Sequence, residues 1–142
     1  MSGHSRPLAY VAGPLFDDGE RWWIETVERC VVECGFDTFL PHRDNPDKTA
    51  DNANTIFGNN LSAVDRCDLV VASLNGLITD DGTAWELGYA FALGKYQIGL
   101  YTDWRARFPD EVVNLMIGES VDVLVRSLDD LSTALRGWAK TN

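Results

Sequence analysis

The amino-acid sequence predicts a single α/β domain, in which helices cover both faces of a doubly wound, five-stranded parallel sheet. Its 142 residues match the length of one domain, and no repeat or linker divides residues 1–142. Short apolar runs alternate along the chain with segments of helical period, as in proteins with a parallel sheet. The strand-like runs contain few polar residues, which is typical of strands buried on both faces. Five such strands in one small domain favour a flavodoxin-like, or more broadly Rossmann-like, architecture.

The first half of the chain contributes two predicted strands and two predicted helices. The run LAYVA at 8–12 predicts a strand that ends at a Gly-Pro pair. A helix is predicted over 20–34, because apolar residues recur at intervals of three or four until Gly35. The other elements of this half are a strand at 36–40, a polar loop at 41–52 and a helix at 54–66.

The second half begins with the run DLVVASL at 68–74, which predicts a strongly buried third strand. A helix is predicted over 83–93, where the residues are almost all apolar. The remaining predicted elements are a strand at 97–101, a helical turn at 110–116, a strand at 121–125 and a closing helix at 128–139.

Composition and charge exclude several classes of protein. The chain is 45% hydrophobic and 24% charged, which is ordinary for a globular domain. Its 12 basic and 22 acidic residues give a net charge of −10, the opposite balance from proteins that bind nucleic-acid polymers or anionic membranes. No apolar run reaches the roughly 18 residues of a membrane span. Residues 1–7 are expected to be frayed and carry no secretion signal, and three cysteines without a CxxC pair fit a reducing compartment, so we expect a cytoplasmic protein.

The sequence predicts neither a metal site nor a cofactor. Outside the frayed segment His42 is the only histidine, and one histidine cannot build a His-rich metal site. The turn after the first strand lacks the GxGxxG pattern of a dinucleotide site. Pro14 removes a backbone donor there, and Asp17 and Asp18 add negative charge where a phosphate would lie. The turn better suits a neutral, hydroxyl-rich or cationic ligand, with Phe16 available to stack on a ring; alternatively, the two acids only favour the start of the next helix.

Glu86 is the clearest candidate for chemistry. In a doubly wound sheet, ligands bind at the carboxyl ends of strands one and three, which brings residues 12–18 and 75–86 into one crevice. Glu86 is the only charge along its predicted helix, and a lone carboxylate among apolar neighbours must be paired, hydrogen-bonded or placed in a cleft. Asp80 and Asp81 precede it and can face the same pocket. The alternative is that Glu86 makes a structural hydrogen bond and that the two aspartates cap the helix or are solvated.

Several carboxylates around an uncharged, sugar-sized pocket suggest glycosyl chemistry. Breaking a glycosidic bond builds positive charge on the sugar, which anionic groups stabilise. An ionised glutamate can also attack the anomeric carbon and form a covalent glycosyl-enzyme.

Four segments, taken in order, carry a family resemblance. They are YVAGPLF at 10–16, DLVVA at 68–72, DDGTAWELGYA at 80–90 followed by Gly94-Lys95, and NLM at 114–116. Each motif is weak alone, but the ordered set spans nearly the whole chain and resembles the nucleoside 2-deoxyribosyltransferase family. The resemblance implies a flavodoxin-like sheet and transfer of 2-deoxyribose between nucleobases by double displacement.

The resemblance also implies roles for individual residues. Glu86 matches the family nucleophile, Asp80 matches an aspartate that binds the sugar near its 5′ end, and Tyr10 resembles a strand-one tyrosine that orients the nucleophile. Phe16 falls where an aromatic side chain packs near the base. The other residues of the predicted substrate site are Gly13, Asp17, Asn60, Gly82, Asn114 and Met116. Asn114 and Met116 resemble a pair that one subunit lends to its neighbour's site, so at least a homodimer is expected.

Asn60 departs from the family pattern, which has an aspartate thought to help protonate the leaving base. An amide cannot act as a carboxylic acid, although it can hydrogen-bond to a purine or pyrimidine edge. The proton would then come from water, or from Asp17 or Asp18.

Three alternatives to a transferase stay open. One is a hydrolase of nucleoside 5′-monophosphates, although relatives of that kind place a serine at the position of Asp80, where a carboxylate repels phosphate. The others are a nucleoside hydrolase and a non-catalytic nucleoside-binding module. We expect a cofactor-free transferase of nucleoside salvage that uses 2′-deoxynucleosides and free nucleobases.

Overall fold

Five parallel strands form one sheet in a computed structural model that describes residues 5–105 and 111–142. The strands are β1 (Leu8–Ala12), β2 (Asp37–Phe39), β3 (Leu69–Ser73), β4 (Tyr96–Leu100) and β5 (Val123–Val125). Their order is β2-β1-β3-β4-β5, and each neighbouring pair is parallel. β3 is buried at every position, as its apolar sequence predicts. The doubly wound α/β fold is therefore confirmed.

The helices are divided between the two faces of the sheet. They are α1 (Asp18–Glu33), α2 (Pro41–Asp44), α3 (Ala53–Arg66), α4 (Asp81–Ala92), α5 (Leu115–Ser120) and α6 (Leu128–Thr141). Because side chains alternate along a strand, Ala9 and Val11 of β1 join α1 and α6 in one core cluster. Tyr10 and Ala12 join α3 and α4 in the other cluster. The sheet is covered on both faces as predicted, and Tyr10 lies on the α3–α4 side.

The first helix begins two residues earlier than predicted because of its cap. The Asp17 carboxylate accepts a hydrogen bond from the Glu20 backbone N–H at 2.8 Å, and the Glu20 side chain accepts from the Asp17 N–H at 3.3 Å. This reciprocal capping box satisfies two N–H groups that lack partners within the helix, so α1 starts at Asp18.

Two other predicted segments are corrected by the structure. The predicted loop at 41–52 begins with the short helix α2, whose first residue is Pro41, a position where a missing N–H costs nothing. The helical turn predicted at 110–116 is displaced toward the C-terminus. Residue 110 lies outside the described residues, and α5 begins only after Asn114, whose side chain accepts from the Met116 N–H at 2.9 Å.

The chain is already held at the start of β1. The Pro7 carbonyl accepts from the Asp37 N–H at 2.9 Å, and the Asp68 carboxylate accepts from the Leu8 N–H at 2.7 Å. Of the predicted frayed segment 1–7, residues 1–4 lie outside the described residues. Within residues 5–105 and 111–142, no helix has the length and apolar character needed to cross a membrane.

Candidate active site

A cavity of about 290 Å³ lies at the carboxyl ends of β1 and β3. The loop after β1 and the beginning of α4 both line it, so the two segments predicted to meet do meet. The loop after β2 and one side of α3 complete the wall. The lining residues are Gly13, Leu15, Phe16, Arg21, Pro41, His42, Asn45, Pro46, Asp47, Lys48, Ile56, Asn60, Asp80, Gly82, Thr83 and Glu86.

Tyr10 and Glu86 form the centre of the site. The Tyr10 side chain is 0% exposed, and its hydroxyl donates to Glu86 Oε1 at 2.8 Å. Its ring is stacked on Phe39 of β2 with the centroids 5.5 Å apart, which holds the phenol in one orientation. Tyr10 therefore fixes one oxygen of Glu86. The other oxygen, Oε2, has no hydrogen-bond donor among the described residues.

The surroundings of Glu86 raise its proton affinity. Burial raises the pKa of the Glu86 carboxyl to about 7, the hydrogen bond from Tyr10 lowers it, and the negative charge of Asp80 raises it. Burial, followed by the charge of Glu86, raises the pKa of the Tyr10 hydroxyl far above its ordinary value. The phenol thus stays protonated and remains a donor, whereas Glu86 changes charge near neutral pH.

Asp80 caps the helix that carries Glu86. Its Oδ2 accepts from the Thr83 N–H at 2.8 Å and from the Thr83 hydroxyl at 2.9 Å. Its Oδ1 has no hydrogen-bond partner among the described residues. Gly82 lies beside it, where an added Cβ would be 3.3 Å from Asp80 Oδ2. One oxygen of Asp80 therefore has a structural role, and the other is available to a ligand.

Gly13 allows the turn after β1 to pack closely against α1. A Cβ at this position would lie 2.6 Å from Ile24 Cδ1 and 3.1 Å from Ser73 Cβ, so a larger residue would require the Ile24 side chain or the turn itself to shift. Phe16 extends from the same turn into the cavity lining and is 74% exposed. Its backbone N–H donates to the Glu20 carboxylate at 2.7 Å. The aromatic side chain is thus presented to solvent on a fixed backbone.

The structure does not bring Asp17 into the cavity. Its exposed carboxylate is engaged in the cap of α1, because an aspartate preceding a helix by one residue is well placed to accept from the third helical N–H. Asp17 Oδ1 therefore has a structural role in the helix start, and the substrate contact predicted for Asp17 stays a prediction.

Asn60 lines the cavity and contacts a residue that the sequence analysis did not single out. Asn45 Nδ2 donates to Asn60 Oδ1 at 2.7 Å and to the Pro41 carbonyl at 2.9 Å. Asn45 lies in a polar segment with no periodic pattern, so only its tertiary position reveals it. His42 also lines the cavity, with Nε2 2.9 Å from the Glu25 carboxylate.

A second cavity, of about 440 Å³, adjoins the first between α3 and α4. Asn60, Gly82 and Glu86 line both cavities, so Glu86 lies where the two meet. Aromatic rings flank the second one, with Trp85 5.6 Å from Phe57 between ring centroids. A ligand at Glu86 therefore has room on both sides of the carboxylate.

Asn114 and Met116 lie apart from Glu86. Both line a third, largely apolar cavity of about 690 Å³ on the outer side of α4, together with Ile78 and Phe91. Met116 is 73% exposed and Ile78 is 75% exposed. These two predicted site residues do not reach the Glu86 cavity of their own chain.

Within the described residues, no group of three or more His, Cys, Asp or Glu side chains has an arrangement that could hold a metal ion.

Comparison with known proteins identifies the family. The family model for nucleoside 2-deoxyribosyltransferases matches residues 9–118. A 2-deoxyribosyltransferase structure from Bacillus psychrosaccharolyticus is 23% identical, with 90% of this chain and 95% of that one covered and a TM-score of 0.77. A 2-deoxyribosyltransferase from Leishmania mexicana is 26% identical, with 91% and 97% covered and a TM-score of 0.68. A CMP N-glycosidase from Clostridium botulinum is 20% identical, with 90% and 97% covered and a TM-score of 0.59.

No curated protein sequence matches this chain. The family model nevertheless runs from Ala9 in β1 to Gly118 in α5, a range that includes Tyr10, Asp80 and Glu86. The chain belongs to the nucleoside 2-deoxyribosyltransferase family.

Proposed function

We propose that the protein transfers 2-deoxyribose between nucleobases through a covalent ester on Glu86. The observation that carries this proposal is the placement of Glu86: a cavity-lining carboxylate with one oxygen held by Tyr10 and the other free among the described residues. The family is one of enzymes that act on nucleosides and nucleobases, and both transferase and N-glycosidase activity are consistent with it.

The first half-reaction uses the free oxygen of Glu86. Its Oε2 attacks C1′ of a 2′-deoxynucleoside, a C1′–O bond forms, and the C1′–N bond breaks with its electron pair left on the base. Positive charge develops on the sugar during this step, and the carboxylates of Glu86 and Asp80 stabilise it. Tyr10 keeps Oε1 in place, so the carboxylate approaches C1′ in one orientation.

The second half-reaction reverses the first with a different base. A ring nitrogen of the incoming base loses its proton to water and attacks C1′, the ester C1′–O bond breaks, and its electron pair returns to Glu86. Two displacements at one carbon retain the configuration of the nucleoside. Water in place of the base would release free deoxyribose, so the occupant of the base position decides between transfer and hydrolysis.

Asp80 favours a substrate without a 5′-phosphate. Its Oδ1 is available in the cavity, where it can accept a hydrogen bond from a sugar hydroxyl. A phosphate at the same place would face a like charge. The contrary observation is that Arg21 and Lys48 also line the cavity, so hydrolysis of a nucleoside 5′-monophosphate is the second candidate function.

We also propose that the complete site forms between two copies of the chain. Asn114 and Met116 line an exposed apolar surface and not the Glu86 cavity of their own chain. A neighbouring subunit packed on this surface would receive both side chains at its own site, which a homo-oligomer with two-fold symmetry allows.

Incubation with 2′-deoxyinosine and either adenine or cytosine tests the reaction. Formation of the new deoxynucleoside supports transfer, free deoxyribose alone indicates a hydrolase, and no turnover indicates a binding protein. Intact mass after mixing with a deoxynucleoside should increase by one deoxyribosyl group in the wild type but not in Glu86→Ala. Glu33→Ala, which removes an exposed carboxylate at the end of α1, is the matched control and should retain the adduct.

A further inference from the structure

Three amide side chains form a small network beside the cavity. Asn45 follows α2, and Asn59 and Asn60 are neighbours on α3. Asn45 Nδ2 donates to Asn60 Oδ1 at 2.7 Å and to the Pro41 carbonyl at 2.9 Å, while Asn59 Nδ2 donates to Asn45 Oδ1 at 3.0 Å. Every hydrogen-bonding atom of the Asn45 amide therefore has a partner.

The Pro41 carbonyl fixes the direction of the whole network. A carbonyl can only accept, so the Asn45 atom that faces it must be the nitrogen. The second hydrogen of that nitrogen goes to Asn60, whose contacting atom must then be the oxygen. Asn60 Nδ2 is left over, and among the described residues nothing accepts a hydrogen bond from it. Because Asn60 lines both cavities that meet at Glu86, these N–H groups are available to a molecule bound there.

We propose that Asn45 is a positioning and specificity-determining residue, which holds Asn60 as a fixed hydrogen-bond donor so that the site selects nucleobases with an acceptor at the facing edge. The acceptor is a ring nitrogen with a free lone pair or a carbonyl oxygen. The inference rests on the proposed function for the identity of the ligand, whereas the hydrogen-bond geometry of the three asparagines does not depend on that function. A base with a C–H at that edge would leave the Asn60 N–H without an acceptor. A base with an N–H there would place two donors against each other.

The fixed donor also defines how the base departs. When the C1′–N bond breaks, its electron pair stays on the base and increases negative charge on the ring. An N–H group directed at a ring acceptor stabilises that charge without giving up its proton, and the base then takes a proton from water. Asn60 thus stabilises the leaving group as a hydrogen-bond donor and not as an acid.

The experiment measures dissociation constants of free adenine and of its 1-deaza, 3-deaza and 7-deaza analogues by calorimetry. Each analogue replaces one ring nitrogen by C–H, and no reaction occurs because no sugar donor is present. One analogue should bind the wild type about threefold to tenfold more weakly than adenine, the range expected for one lost hydrogen bond. The readout is the dissociation constant of that analogue divided by the dissociation constant of adenine, because this ratio is insensitive to general effects on binding.

Asn45→Asp should reverse the network. A carboxylate accepts only, so Asn60 must turn to donate its Nδ2 to position 45 and present its oxygen to the cavity. The discriminated analogue should then bind at least as well as adenine. Asn45→Ala, which leaves Asn60 free to rotate, should bring the ratio close to one and serves if the aspartate variant does not fold. Asn54→Asp makes the same chemical change on α3 outside the cavity lining and should keep the wild-type ratio.

The outcomes separate this inference from the proposed function. Equal binding of all four bases to a wild type that transfers deoxyribose overturns the inference alone, as does a wild-type ratio that persists in both Asn45 variants. The expected ratios in a protein without glycosyl transfer would support the inference and overturn the proposed function. A wild type that neither binds a base nor transfers deoxyribose would overturn both.

Discussion

The Tyr10 hydroxyl lies 2.8 Å from the Glu86 carboxylate, although 76 positions separate the two residues in the sequence. Tyr10 is a fully buried residue of β1, and Glu86 comes from the second turn of α4, a helix on the same face of the sheet. The pair combines a donor that keeps its proton with a carboxylate that changes charge near pH 7. Substitutions in this pair and its neighbours should therefore alter both the rate of the reaction and its dependence on pH.

Tyr10→Phe should lower kcat by about ten- to a hundredfold, the range for a lost hydrogen bond to a charged group. The ring can still stack on Phe39, so the fold should be retained. Because the Tyr10 hydrogen bond lowers the pKa of Glu86, the rise of activity with pH should move above pH 7. Tyr96→Phe, on β4 away from the cavity, is the control. An unchanged pH profile in Tyr10→Phe would contradict the assigned role.

Asp80→Asn should shift the same pH profile in the opposite direction. The charge of Asp80 raises the pKa of Glu86, so its removal should let Glu86 ionise at lower pH. Asparagine is also a good N-cap, so α4 should still begin at the same place. We expect kcat to fall by about a hundredfold because one carboxylate no longer stabilises the sugar cation. Steady-state rates between pH 5 and pH 9 test both the decrease in kcat and the shift of the pH profile. A shift of the profile toward alkaline pH would refute the electrostatic argument.

Glu86→Gln should remove a pH-dependent loss of stability. The pKa of Glu86 is about 7 in the folded protein and near its ordinary 4.5 when unfolded, so the folded state binds more protons between these values. Stability from this group is therefore present below pH 4.5 and is lost as the pH rises through 7, by on the order of 3 kcal/mol. Denaturant unfolding at pH 5 and pH 8 should show a smaller decrease in Glu86→Gln than in the wild type. Equal decreases in both proteins would contradict the raised pKa.

Mixing two inactive variants should restore activity if the site is shared. Glu86→Ala lacks the proposed nucleophile, and Asn114→Ala lacks a residue proposed to serve the neighbouring site. In a mixed dimer, the intact Glu86 of one chain meets the intact Asn114 of the other, so random subunit exchange should recover about a quarter of the sites. A mixture of Glu86→Ala and Glu86→Gln should stay inactive. If the activity of the first mixture does not exceed the summed activities of the two variants measured separately, each chain uses its own residues.

The sequence carries enough information to predict the fold and to single out the centre of the candidate site. Apolar strands buried on both faces leave a strong pattern, and a single charge along an apolar helix is sufficient to single out Glu86. Asp17 is harder to interpret, since an acid before a helix serves a cap and a ligand equally well. The spacing of Asp17 and Glu20 does match a capping box, which is a readable signal for the structural role.

Other features depend on tertiary contacts that leave no local pattern. Asn45 lies in an irregular polar segment, and its importance arises only from the positions of Pro41 and Asn60. The start of α5 depends instead on a local contact, the Asn114 cap, and an equally plausible start lies a few residues earlier. Such choices are made by hydrogen bonds between distant or weakly patterned groups, and propensity alone does not rank them.

The alternation of side chains along β1 makes its register a functional property. A shift of one position would still place apolar residues on both faces, because Ala9, Tyr10, Val11 and Ala12 are all buried. Burial therefore distinguishes poorly between the native pairing and its slipped neighbour. The slipped strand would carry the phenol to the α1–α6 side, where its hydroxyl would lose the hydrogen bond to Glu86.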